Sequence, residues 1–271
     1  MRVLSWNLYH GRDFPPDEAL FTLRSRLLRV TERDETHVQV NRPLRGEFAG
    51  WIAGHDWDVA LLQEAPPLWF GAFGRRARAN GVRVFTSRNV VPPLQRLAAN
   101  LNPDLIASWE GGSNQLFVRA PGQVLERRDM TLTLRPERRR MVWARLRLAS
   151  GETVCVANLH ASAGLPRKAT GELLAAAANA VEWSAGDPLV FGGDMNLRPA
   201  RNPKPFDELR ERFGLGDPTG PHAIDHLLAR GLEVAERPRQ FAPDARELPE
   251  RDGLRLRLSD HAPVTARFEV R

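Results

Sequence analysis

Nine acid, amide and imidazole side chains stand where apolar runs end in this 271-residue chain: Asn7, Glu64, His160, Asp194, Asn196, Asp225, His226, Asp260 and His261. They come from six separate boundaries. One such residue after a strand is an ordinary solvated turn, but six boundaries carrying only Asn, Asp, Glu or His form a constellation. Carboxylate and carboxamide oxygens favour a hard divalent cation, Mg²⁺ or Mn²⁺. Magnesium typically takes one or two carboxylates, several waters and a substrate phosphate. Imidazoles beside that ion suit phosphoester hydrolysis: the metal neutralises phosphate oxygens while a carboxylate or imidazole orients and deprotonates water.

The stretch "VFGGDMNLRP" (190–199) is the densest part. Period-two geometry puts Asp194 and Asn196 on one face of a strand and Met195 on the other. Gly192 and Gly193 would let the backbone approach a ligand. Each group also has a plain structural reading. Asp194 with Asn196 reads equally as an Asx turn, Asn7 as a satisfied strand cap, Glu64 as a solvated loop acid and His160 as a core histidine bonded to backbone. His226, next to Asp225 in a strand, points to the opposite face and reads as structural. His10 lies close enough to Asn7 to line the same cleft, without a role.

Apolar runs rich in Val, Leu and Ile alternate with amphipathic segments along the whole chain. Strands are expected at 2–8, 58–64, 81–87, 113–120, 129–136 and in the final "HAPVTARFEV". Residues 140–162 read as an antiparallel hairpin turning at Ser150-Gly151. "PLVFGGD" and "AIDHLLA" supply two more strands. Helices are expected at 17–30, in "PLRGEFAGWIAG", at 167–186 with Gly186 as C-cap, and in "FDELRERFG". The polar stretch from Arg237 to Asp260 reads as a long loop with one short strand. Crossover and hairpin connections together predict an α/β (α+β) fold, a four-layered sandwich of two packed mixed β-sheets flanked by helices. With no repeat, low-complexity tract or Ser/Gly linker, residues 1–271 are expected to form a single domain.

Composition narrows the classes. No run of 18 apolar residues occurs and the N-terminus lacks a secretory pattern, so a cytoplasmic monomer without stable membrane insertion is expected. Cys155, the only cysteine, excludes an intramolecular disulfide and a thiolate metal site, and reads as core. A net charge of +6 suits a polyanionic partner. That signal is permissive only, because all but Lys168 and Lys204 of the 39 basic residues are arginine, as GC-rich coding also produces.

In chain order, "SWNL", "LLQE", "NLHA", "GGDMN", "AIDHLL" and "LSDHAPV" resemble the successive motifs of the endonuclease/exonuclease/phosphatase superfamily, over residues 3 to 264. That superfamily includes pancreatic-type deoxyribonuclease, AP endonucleases, inositol polyphosphate 5-phosphatases and neutral sphingomyelinases. The resemblance implies Glu64 as the main carboxylate ligand of Mg²⁺, with Asn7 and Asp260 close to the ion. It implies that Asp194 orients or deprotonates water and that Asn196 donates to a phosphate oxygen. His261 would contact the scissile phosphate as general base or imidazolium, held by Asp225, and His160 would bind the phosphate from the other side. Arg139 or Arg140 occupies the place of a phosphate-contacting arginine, and Asn114 is a weaker phosphate candidate. Tyr9 stands where the AP endonuclease branch carries an Asp, and His160 where that branch carries a Tyr. Both departures weaken the AP endonuclease assignment, and His160 in "NLHAS" is closer to the deoxyribonuclease, sphingomyelinase and phosphatase branches, which do not share one substrate. The expected activity is a Mg²⁺-dependent phosphodiesterase or nuclease acting on nucleic acid. The alternatives are a phosphatase or phospholipase C-type hydrolase of an inositol phosphate, sphingomyelin or other small phosphoester, and a non-catalytic basic binding module.

Overall fold

The apolar runs become two sheets because most of them are buried on both faces. The computed structural model describes residues 1–86, 100–105, 112–135 and 137–270. The chain begins with β1 (Arg2–Asn7), α1 (Leu23–Leu28), the short pair β2 (Glu32–Arg33) and β3 (Val38–Gln39), α2 (Arg45–Gly54), β4 (Val59–Ala65), α3 (Phe70–Ala77), β5 (Ala79–Phe85) and β6 (Ser113–Arg119). It continues with β7 (Gln123–Thr133), β8 (Arg139–Arg147), β9 (Thr153–His160), α4 (Pro166–Ser184), β10 (Leu189–Asp194), α5 (Pro203–Phe213), β11 (Asp225–Arg230) and β12 (Leu232–Gln240). The pair β13 (Glu247–Pro249) and β14 (Arg255–Arg257) precedes β15 (Val264–Val270).

One sheet has the strand order β12-β15-β1-β4-β6-β5 and the other β11-β10-β9-β8-β7. Each is mixed: β1 runs parallel to β4, and β9 parallel to β10, while their other pairings are antiparallel. Alternation along each strand gives both sheets two apolar faces. Val3, Val59, Leu61 and Leu116 meet Val142, Ala144, Val156 and Val190 in the central core. One residue along, Leu4, Trp6, Ala60 and Leu62 point outward beneath Phe48, Trp51 and Ile52 of α2 and Phe73 of α3. Met141, Trp143, Ala157 and Phe191 lie beneath Ala169, Leu173 and Ala176 of α4 and Phe206 and Leu209 of α5. The result is helix, sheet, sheet, helix, as the patterning predicts. Cys155 is buried in the last of these cores.

This topology decides where chemistry collects. The parallel partners β1 and β4 end at the same edge of one sheet, as β9 and β10 do in the other. The antiparallel β15 and β11 begin at those edges. No helix among the described residues is long and apolar enough to cross a membrane.

Four local expectations change. The helix expected at 17–30 is broken into a 3-10 turn at Glu18–Leu20 and the α-helix Leu23–Leu28, because Thr22 takes extended backbone and its Oγ1 accepts from Ser25 N–H as an N-cap. Leu23 and Leu28 are 71% and 69% exposed, so their helical spacing does not mark a core face. The strand expected from 129 starts six residues earlier, at Gln123; β7 is an edge strand whose charged residues disguise it. For the same reason the long polar loop holds the end of edge strand β12 as well as the β13–β14 pair. The left-handed residue that stops α4 is Ala185, one before Gly186.

Candidate active site

Asp194 closes β10 and forms the hub. Its Oδ2 accepts from Asn7 Nδ2 at 3.0 Å, across from the end of β1 in the other sheet. The same oxygen lies 3.3 Å from His160 Nε2 and 3.9 Å from His261 Nε2. Its Oδ1 accepts the Asn196 N–H at 3.0 Å. The Asx turn is therefore present, and it lies within this cluster of strand-end groups. The period-two expectation fails beyond Asp194, where the strand stops. Asn196 has φ 51° and its Nδ2 donates to the Ala161 carbonyl at 3.0 Å.

The two glycines serve packing, which corrects the expectation that they make room for a ligand. A Cβ on Gly193, at φ +128°, would fall 2.0 Å from the Leu159 carbonyl oxygen. One on Gly192 would fall 2.7 Å from Leu227 Cδ2 and 2.9 Å from the His226 carbonyl oxygen.

His261 Nδ1 donates to Asp225 Oδ2 at 2.8 Å. Burial opposes the imidazolium, but the charge and hydrogen bond of Asp225, joined by Asp194 and Asp260, outweigh it and push His261 up to about 10. Burial, then the Asp225 charge, pushes Asp194 up to about 7. The backbone of His261 is also fixed. Trp6 Nε1 donates to its carbonyl at 2.9 Å, and its N–H donates at 3.1 Å to Ser259 Oγ, which in turn donates to the Asn7 carbonyl at 2.7 Å. Sequence reasoning missed Ser259; its signal is a small hydroxyl residue immediately before the Asp-His pair.

His160 is buried and behaves differently. Burial, then the charge of Arg139, holds it well below the usual histidine range, so the ring is neutral at neutral pH. Arg139 Nη1 lies 2.9 and 3.0 Å from its two nitrogens. The tautomer that fits carries its proton on Nε2, facing Asp194, and leaves Nδ1 to accept from Arg139. Behind this strand end, Glu172 of α4 accepts from the Ser162 N–H and Oγ, each at 2.7 Å, a brace the sequence did not reveal.

Glu64 sits at a bulge with φ 46°. Its Oε2 lies 3.4 Å from His10 Nε2 and its Oε1 3.8 Å from His160 Nδ1, so His10 does line the cleft. Burial raises Asp260, and the Glu64 charge adds to the rise. Four carboxylates, Glu64, Asp194, Asp225 and Asp260, thus crowd one strand-end cluster, with two of them pushed toward keeping a proton. A hard divalent cation answers such a surplus of oxygen donors. Among the described residues, the acid and imidazole atoms that converge within 4.8 Å are those of Asp194, Asp225 and His261, rather than Glu64 and Asp260. The Asp225–His261 bond already accounts for that closeness. Asn7, besides bonding Asp194, accepts the Tyr9 N–H through Oδ1 at 3.0 Å.

Three residues lie apart. Asn114 is fully buried and its Nδ2 donates to the Arg140 carbonyl at 2.7 Å, leaving no surface for a phosphate. The Arg140 guanidinium pairs with Asp129 on the neighbouring strand, so Arg139 is the arginine that reaches the cluster. His226 faces away, as expected: its Nε2 meets the Leu197 carbonyl at 3.1 Å and its ring packs on Phe206.

A family model described as "Endonuclease/Exonuclease/phosphatase family" matches residues 4–261. A search of curated proteins by sequence finds no match. Similar solved structures include a mannosyl-6-phosphatase of Bacteroides thetaiotaomicron VPI-5482, 15% identical, with 99% of each chain covered and a TM-score of 0.64. The human Nocturnin catalytic domain with bound sulfate is 17% identical, with 99% of this chain and 93% of that one covered, TM-score 0.64. D. rerio TDP2 complexed with a single-strand DNA product is 15% identical, with 100% and 99% covered, TM-score 0.61.

Proposed function

The chain belongs to the endonuclease/exonuclease/phosphatase family, whose members hydrolyse phosphoester bonds, and we propose that within it this protein is a Mg²⁺-dependent phosphodiesterase acting on nucleic acid. The observation that carries the reading is the Asp225-supported His261, whose free Nε2 lies 3.9 Å from an Asp194 carboxylate held from both sheets.

Glu64, with Asp260 and Asn7 beside it, would hold the Mg²⁺. When bound, the ion neutralises charge on the phosphate oxygens and makes water easier to deprotonate. Asp194 orients that water and takes its proton; a carboxylate raised toward neutrality is matched to this task. Asn7 Nδ2 and His160 Nε2 keep the accepting oxygen in place. His261, charged through Asp225, stabilises negative charge developing on the phosphate, and Arg139 with Asn196 binds it from the opposite side. The net charge of +6 is compatible with a polyanionic diester.

A second reading, a lipid phosphoester substrate, is favoured by one observation: the exposed Leu23 and Leu28 of α1 are interleaved with Arg24, Arg26 and Arg29. One panel tests both. Plasmid DNA, single-stranded DNA, RNA, an aryl phosphodiester, inositol phosphates and sphingomyelin are incubated with Mg²⁺ and with EDTA. The expected result is Mg²⁺-dependent cleavage of nucleic acid that weakens as salt rises. Asp225→Asn, which removes the charge supporting His261, is expected to lower turnover by about 10²–10⁴-fold. Cleavage confined to monoesters or to sphingomyelin overturns the nuclease reading, and full activity in EDTA overturns the metal.

A further inference from the structure

The site is divided between two sheets: Asn7, Glu64 and His261 come from one, His160, Asp194 and Asp225 from the other. Apolar contacts hold the sheets together, but they are non-directional and do not by themselves set registry. A buried amide does. Asn158, in β9 two residues before His160, is fully buried and points between the sheets. Its Nδ2 donates to the Leu62 carbonyl at 3.0 Å and to the Gln115 carbonyl at 2.8 Å, both in the opposite sheet. Its Oδ1 accepts from Gln63 Nε2 at 2.7 Å, and Gln63 Nε2 also contacts Ser5 Oγ of β1 at 3.2 Å. Both donors and the acceptor are used.

These contacts fall where the ladder is interrupted. β4 pairs regularly with β6 up to Leu62↔Gln115 and resumes at Ala65↔Ser113, so Gln63 and Glu64 together oppose the single Asn114. The left-handed Glu64 is the second residue of that bulge. Asn158 therefore grips the carbonyls of the last regular pair and the side chain of the first bulge residue. It also touches the other half of the site. Asn158 pairs with Gly192 of β10, and a Cβ on Gly193 would stand 3.1 Å from its Oδ1. One carboxamide thus lies against the bulge behind Glu64, the strand that ends in His160 and the glycine before Asp194.

We propose that Asn158 is a positioning residue: its carboxamide sets the registry of the two half-sites and holds the bulge that presents Glu64, so divalent-cation affinity depends on it. This rests on the reading of Glu64 as a metal ligand. Functional geometry tolerates only about 0.5 Å of error, and losing a partner that orients a ligand typically costs about 10–100-fold in metal affinity.

The test is Mn²⁺ binding by calorimetry on the full chain without substrate, with near-ultraviolet circular dichroism reporting tertiary packing. Glu64→Gln is the control for the underlying reading: unchanged Mn²⁺ affinity there removes the metal-ligand premise, whatever Asn158 does. With that control weakened as expected, Asn158→Leu, which fills the volume without the amide, is expected to bind Mn²⁺ about 10–100-fold more weakly while keeping a native spectrum. Gln63→Met removes the donor to Oδ1 but leaves the clamp on Leu62, and is expected to give a smaller loss. It decides the matter should Asn158→Leu fail to fold. Wild-type Mn²⁺ affinity in folded Asn158→Leu, or in Gln63→Met where that variant decides, overturns the proposal.

Discussion

Gly193→Ala separates the two things a glycine does. Position 193 combines φ +128° with a would-be Cβ contact of 2.0 Å on the Leu159 carbonyl oxygen. Backbone strain in a region of φ/ψ reserved for glycine costs about 1–3 kcal/mol. Forcing a methyl into packed surroundings costs about 1–3 kcal/mol more. The atom that must give way is backbone in the parallel ladder with β9, so little relaxation is available. The sum, about 4 kcal/mol, corresponds to a fall in Tm of about 10 °C for a chain of this size. Two companions divide that figure. At Gly164 φ is +68° but a Cβ meets nothing within 4 Å, so Ala there carries the conformational cost alone, about 1 kcal/mol. Gly216 has no left-handed backbone and no neighbour within 4 Å, and Ala there is expected to be neutral or slightly stabilising. Differential scanning calorimetry ranks the three. Because Asp194 follows directly, Gly193→Ala is also expected to lose phosphoesterase activity at temperatures where it remains folded. A Tm within about 2 °C of wild type, or a Gly164→Ala loss as large as that at Gly193, would refute the steric argument.

Two further outcomes follow from particular contacts. Arg139→Leu is expected to lower kcat/KM by about 10–100-fold, the worth of a charged hydrogen bond, while Arg140→Leu, removing an ion pair with Asp129, changes it by less than about twofold; equal losses would remove Arg139 from the site. Burial, with the charge of Asp104 adding to it, pushes Asp13 up to about 8. A carboxyl raised in the folded state contributes stability that is complete below its ordinary value of 3.8 and is lost as pH rises toward about 8. Asp13→Asn, whose carboxamide oxygen can still accept the Val40 N–H, should therefore overtake the wild type in Tm as pH rises through that window, and parallel Tm curves would contradict the burial argument.

How much was legible beforehand depended on whether the cause was local. Residue type and alternation along one strand are properties of the sequence, so the buried runs, the four-layered α/β architecture and the polar groups at six strand ends could be read from it. Edge strands β7 and β12 were harder, since one solvated face replaces the apolar run with charges. Contacts between strands depend on registry, which no short stretch contains. Nothing local distinguishes Arg139 from Arg140; the fold turns one to His160 and the other to Asp129. Nothing in "GGDMN" says that its glycines yield to the Leu159, His226 and Leu227 of neighbouring strands. Nothing local marks Asn158 either, since the carbonyls it binds belong to the opposite sheet. The sequence by itself determined which chemical groups this protein owns and at which strand ends they stand. Only the tertiary structure decided which of them meet, because hydrogen bonds between sheets act over about 3 Å and join residues as far apart as Asn7 and Asp194.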